Sequence, residues 1–100
     1  MRGWILDCAG EPAVTLRLAA GSTKIVGRGP AADFVLDAPL VSRLHCRLTA
    51  DLSDQLVVED LDSTNGTSVN GEPVTRGILR DGDRLRLGRV EFAIGRPPAR

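Results

Sequence analysis

The stretch Leu56-Val57-Val58-Glu59-Asp60-Leu61-Asp62-Ser63-Thr64-Asn65-Gly66-Thr67 joins an apolar run to a segment made almost wholly of hydroxyl, carboxyl, amide and glycine groups. The second half has little to bury. Asn-Gly tolerates positive φ, and Ser, Thr and Asp side chains bond to nearby backbone groups. The stretch predicts a tight, self-bonded loop that presents polar groups from a β scaffold.

Working outward, period-two alternation supplies that scaffold. Trp4, Leu6 and Cys8 alternate with Ile5 and Asp7, and Val14, Leu16, Leu18 and Ala20 alternate with Thr15, Arg17 and Ala19. The same spacing recurs in Leu44, Cys46 and Leu48, in Leu85 and Leu87, and in Val90, Phe92 and Ile94. Period two marks half-buried strands. Ile25-Val26 and Phe34-Val35-Leu36 read as shorter ones. Turn signals separate the runs: Ala9-Gly10-Glu11-Pro12, Gly21-Ser22, Gly29-Pro30, Ala38-Pro39, Asn65-Gly66, Asn70-Gly71 and Asp81-Gly82. Asn70-Gly71 predicts a type I′ hairpin. No segment keeps helical spacing over three turns, and Ala31-Ala32-Asp33 has room for one turn at most. Short strands with turns every 8–12 residues or so imply an antiparallel sandwich or barrel whose loops gather at its ends.

The chain has 100 residues, which suggests a single domain. Residues 1–95 read as the domain, and residues 96–100 as a tail or the start of a linker with nothing to bury. The 42% hydrophobic and 26% charged composition argues against disorder. Zero net charge does not recommend nucleic acid or an anionic membrane as partner. No apolar run reaches the length of a membrane span and the N-terminus lacks a signal-peptide core, so the expected location is the cytoplasm. Lysine occurs once, at Lys24, against twelve arginines, which is associated with a GC-rich bacterial source. Cys8 and Cys46 sit within apolar alternation and are expected to be buried thiols. One histidine without ligand spacing gives no metal site.

Function is expected in the loops, since the strands are occupied with packing. Ser42 and His45 tempt a nucleophile–base reading. If a strand runs from Arg43 onward, however, the two point to opposite faces, and no acidic third partner is placed by spacing. Gly27-Arg28-Gly29 lacks the Lys-Ser/Thr ending of a phosphate-binding nucleotide loop, so no cofactor is implied. Catalysis is not expected. Arg28 and Arg43 on two loops, with the hydroxyls and amide of Ser42, Thr64 and Asn65, make a set suited to a phosphate group. Either arginine alone would read as a solvated surface charge.

The blocks Gly27-Arg28, Asp33-Phe34-Val35-Leu36, Val41-Ser42-Arg43-Leu44-His45, Asp60 to Thr67, Val69-Asn70-Gly71 and Leu79 to Gly88 stand in the order found in the forkhead-associated (FHA) domain, which the chain closely resembles. The resemblance implies an all-β antiparallel sandwich of eleven strands (FHA/SMAD-like) with a phosphothreonine-peptide site on its loops. It implies that Arg28 clamps the phosphate, Ser42 donates its hydroxyl to it and Arg43 adds a second basic contact. It gives Thr64 the phosphate edge and Asn65 the peptide main chain just after the phosphothreonine. Gly27, His45 and Gly66 are implied to be structural. The expected partner is a protein phosphorylated on threonine by an upstream Ser/Thr kinase. Specificity at the third residue after it is expected from Thr67–Asn70 or from the region near Ala38–Leu40. The alternative is a phospho-independent interaction or oligomerisation module, which exposed apolar residues on outward strand faces such as Ile5, Val35 or Val57 would favour.

Overall fold

The computed structural model describes residues 3–10 and 12–98. Met1, Arg2, Glu11, Ala99 and Arg100 lie outside the described residues, and with them the middle of the first turn and the end of the tail segment. Eleven strands form in chain order: β1 Trp4–Cys8, β2 Val14–Leu18, β3 Ser22–Gly27, β4 Phe34–Val35, β5 Cys46–Ala50, β6 Leu56–Asp60, β7 Thr67–Val69, β8 Glu72–Pro73, β9 Arg76–Leu79, β10 Arg84–Leu87 and β11 Val90–Gly95. No helix occurs among the described residues, so none is long and apolar enough to cross a membrane.

Six strands make one sheet in the order β2-β1-β11-β10-β7-β8, and five make the other in the order β4-β3-β5-β6-β9. Neighbours are antiparallel except β3 and β4, which run parallel through Val26↔Phe34 and Gly27↔Val35. The inward set follows the alternation. Leu6, Leu48, Leu56, Val58, Leu85, Leu87 and Phe92 are wholly buried between the sheets. Each such side chain contributes about 1.5–3 kcal/mol of transfer free energy. Cys46 and Cys8 belong to this core. Burial, with the nearby charge of Asp60, pushes the Cys46 thiol up to about 12, so it stays protonated and unreactive.

Asn70 and Gly71 both take positive φ (51° and 83°), as a type I′ turn requires, and join β7 to β8 in the register Val69↔Glu72. Ala31–Asp33 forms a turn rather than a helical one. There the Asp33 carboxylate accepts from Ile25 N at 2.7 Å and draws the segment back onto β3. β5 begins at Cys46, two residues later than the alternation predicts, because Arg43 and Leu44 bend. Arg96, placed by sequence in the tail segment, is packed. Its guanidinium stacks 3.5 Å over the Trp4 ring and donates to the Gly3 carbonyl and the Asp54 carboxylate.

Candidate functional site

The segments between β3 and β4, between β4 and β5, and between β6 and β7 meet at one end of the sandwich. The backbone ties them first. Arg28 N donates to Ser42 O at 2.9 Å, and Gly29 N donates to Arg43 O at 3.1 Å. The approach depends on glycine at position 27, where a Cβ would come within 1.9 Å of the Arg43 carbonyl oxygen. Any side chain there would push the second segment off the first.

His45 ties the third segment to the second. Its ring is fully buried. Nδ1 accepts from Ser42 N at 3.0 Å, which leaves the proton on Nε2 to be donated to Gly66 O at 2.8 Å. Both ring nitrogens are therefore spent on structure. The strand assumed from Arg43 onward is corrected by the bend at Arg43–Leu44, which brings Ser42 and His45 together instead of onto opposite faces. They meet through the serine's backbone N–H. The hydroxyl belongs to a different bond, with Ser42 Oγ accepting from Thr64 N at 3.0 Å. No nucleophile–base pair results.

The opening stretch folds around Asp60. Its carboxylate accepts from Ser63 N (3.1 Å), Ser63 Oγ (2.5 Å) and Thr67 Oγ1 (2.7 Å). Ser63 Oγ in turn accepts from Gly66 N at 3.0 Å, and Gly66 itself sits at φ 83°, a backbone state that favours glycine. Partial burial pushes the Asp60 carboxyl up, but the hydrogen bonds from Ser63 and Thr67, with the nearby His45, outweigh it and hold it below the ordinary aspartate range. A carboxyl depressed in the folded state adds stability above the unfolded value, and that stability is lost as pH falls through the folded one. Asp60→Asn is expected to cost about 1 kcal/mol near neutral pH, after allowance for partial solvation. It should also flatten the acid side of the stability profile, as read by thermal melts from neutral to acid pH.

These ties leave a cavity of about 270 Å³ lined by Arg28, Leu40, Val41, Ser42, Thr64 and Asn65. Arg28 Nε donates to Val41 O at 3.0 Å, which fixes the guanidinium and leaves its two terminal nitrogens for a ligand. Ser42 Oγ, already an acceptor from Thr64 N, keeps its own proton to donate. Asn65 Nδ2 donates to Leu40 O at 3.1 Å, which sets the amide orientation and leaves Oδ1 free to accept. Leu40 is held at φ 70°, a strained state for a branched side chain, with its carbonyl turned to Asn65 and pressed against Gly88. Four of the five residues expected to contact phosphate or peptide thus share one cavity. Arg43 does not line it. That side chain is exposed and runs past Gly29, where a Cβ would lie 3.0 Å from its own. Sequence reasoning placed Leu40 in a specificity region and Val41 in a motif block but missed their main-chain carbonyls, which hold Asn65 and Arg28 and leave no side-chain signature.

The FHA domain pattern matches residues 24–88, the segment that builds this cavity. The chain belongs to the FHA domain family. FHA domain-containing protein FhaA of Mycobacterium tuberculosis is 44% identical over 80% of this chain, and the match spans 15% of FhaA. The oxoglutarate dehydrogenase inhibitor of Corynebacterium jeikeium is 40% identical over 70% of this chain and 48% of its own length. The chain therefore spans about half or less of the length of the curated relatives it matches. Among solved structures, one from a structural and functional study of phosphothreonine-dependent FHA domain interactions superposes with a TM-score of 0.85. It is 36% identical, over 97% of this chain and 99% of the other.

Proposed function

We propose that this FHA domain is a non-catalytic reader of phosphothreonine in an extended segment of a partner protein, written by a Ser/Thr kinase. The observation that carries the reading is the convergence of Arg28, Ser42, Thr64 and Asn65 on one cavity with donor groups unspent. Arg28 supplies two N–H donors and charge to the phosphate, and Ser42 supplies a hydroxyl donor. Thr64 borders the phosphate, and Asn65 holds the main chain that follows. Arg43 adds field from the rim rather than a direct bond. Phosphate brings a charge of about −1.5 to −2 to this set. Two or three charge-assisted bonds of about 1.5–3 kcal/mol each separate phosphorylated from bare peptide by a factor on the order of a hundred.

Selectivity beyond the phosphothreonine has better support at Ala38–Leu40 than at Thr67–Asn70. An apolar cavity of about 390 Å³, lined by Ala38, Pro39, Leu40, Arg89 and Val90, adjoins the phosphate cavity through Leu40. Thr67 is instead buried on Asp60, and Asn70 is bonded to Asp83 and Arg84. The phospho-independent alternative has less behind it. Of the three outward apolar positions that would favour it, Val57 is 8% exposed, Ile5 is half-buried, and Val35 alone is open at 57%. Isothermal titration of matched phosphothreonine and threonine peptides tests the proposal. Phosphate-dependent affinity of about a hundredfold is expected, and equal affinity overturns it.

A further inference from the structure

We infer that Val35 and Leu44 form an apolar platform that receives an aliphatic side chain of the bound partner on the N-terminal side of its phosphothreonine. The inference rests on the phosphothreonine reading above and adds a second contact point to it. Val26 is buried in the core, so Gly27, the next residue of β3, turns to the opposite face of the sheet, where the Arg43 carbonyl covers it. Two chain segments flank that glycine. On one side lies Val35, its register partner on β4, which points outward because Phe34 packs inward. Over the other runs the Arg43–Leu44 bend, whose Leu44 Cα would lie 3.0 Å from a Gly27 Cβ.

The two side chains are 57% and 42% exposed, although nothing in the core needs them apolar. A lone exposed leucine is ordinary. Two flanking one glycine, with half-buried Ile25 two residues back on the same strand face, gather three aliphatic residues about Gly27. The Arg47–Glu59 ion pair (3.3 Å) bounds them beyond Ile25, Arg47 being the register neighbour of Ile25.

The occupant follows from continuity with the phosphate cavity. Arg28 follows Gly27 directly, and Ser42 and Arg43 lead into Leu44. The platform therefore adjoins the cavity through Arg28 and Ser42, whereas Asn65 is tied to Leu40. If Asn65 holds the main chain after the phosphothreonine, the chain before it leaves across Arg28 and Gly27. At about 3.3 Å per extended residue, a side chain roughly two to four positions ahead of the phosphothreonine reaches the platform.

Selection from a phosphothreonine peptide library, randomised ahead of the phosphorylated residue and paired with its unphosphorylated copy, tests this. The wild-type domain should enrich Ile, Leu, Val or Met at one of those positions. Val35→Ser/Leu44→Ser should lose that enrichment and bind the selected peptide about 3–10-fold more weakly. The same variant should bind a peptide with glycine at that position as the wild type does. Phosphate-dependent selection with no aliphatic preference overturns the platform and leaves the reader intact. Selection that ignores phosphate overturns the reader itself. The wild-type selection decides the matter even if the double variant folds poorly, and Leu44→Gln alone supplies a milder probe of the same loss.

Discussion

Arg28→Ala should lose about a hundredfold or more in affinity for a phosphothreonine peptide while the fold survives. The guanidinium reaches the cavity from the end of β3 and is held there by the Val41 carbonyl at 3.0 Å. On the proposed reading, removing it deletes two charge-assisted bonds to phosphate, each worth about 1.5–3 kcal/mol before solvent screening of this exposed site. It also leaves a phosphate partly desolvated against neutral walls. The stability cost is one part-buried bond to Val41 O, about 1 kcal/mol, because the backbone bond from Arg28 N to Ser42 O does not depend on the side chain. Arg28→Lys separates geometry from charge. An ammonium keeps the field but not the planar fork, and it cannot bond Val41 while presenting two donors to phosphate. It should recover only part of the loss, and its affinity should fall more steeply with salt. Titration calorimetry with matched peptides, beside thermal melts, reads both effects. An alanine variant that binds as the wild type does removes Arg28 from the site.

The strands were legible because the core is built by alternation, and alternation survives in the sequence wherever a strand has one wet face. β1, β10 and β11 stand where Trp4–Cys8, Leu85–Leu87 and Val90–Ile94 put them. β9 was not legible. Arg76-Gly77-Ile78-Leu79 carries no apolar alternation, and it becomes a strand by pairing along β6 through Val57↔Ile78 and Val58↔Gly77. The packing of Arg96 was invisible for the same kind of reason. A basic residue before two prolines reads as tail, and only the fold brings Trp4 beneath it and Asp54 beside it. In the candidate site the motif residues were readable, but the contacts that organise them were not. Main-chain carbonyls of Leu40 and Val41 hold Asn65 and Arg28, and any residue type supplies a carbonyl. The bend at Arg43–Leu44 also overrode the strand period, because it carries the link from Gly29 N to Arg43 O on which the meeting of the loops depends.

His45 carries the second large effect, and it acts without touching a ligand. His45→Ala removes a wholly buried ring that bridges two loops. Ser42 N loses its acceptor and Gly66 O loses its donor, each in a part-buried position. Each orphaned group costs about 1–3 kcal/mol, and the void adds to that, so a loss of roughly 3 kcal/mol or more is expected. For a domain of this size that is a fall in Tm of about 10–20 °C, out of a total stability of about 5–15 kcal/mol. Binding should fall with it even in the molecules that remain folded. The bond from Thr64 N to Ser42 Oγ depends on both loops keeping their places, and so does the shape of the cavity between Arg28 and Asn65. His45→Gln refines the prediction. A glutamine amide offers one acceptor and one donor group on a flexible stem, so it should restore part of the stability while leaving the loops less well registered and the affinity still reduced. Thermal melts and peptide titration on the two variants check this. Were His45→Ala to melt as the wild type does, the bridging role would be wrong; were it unstable yet fully competent to bind, the loops would owe their alignment to the backbone ties at Gly27 and Gly29 alone.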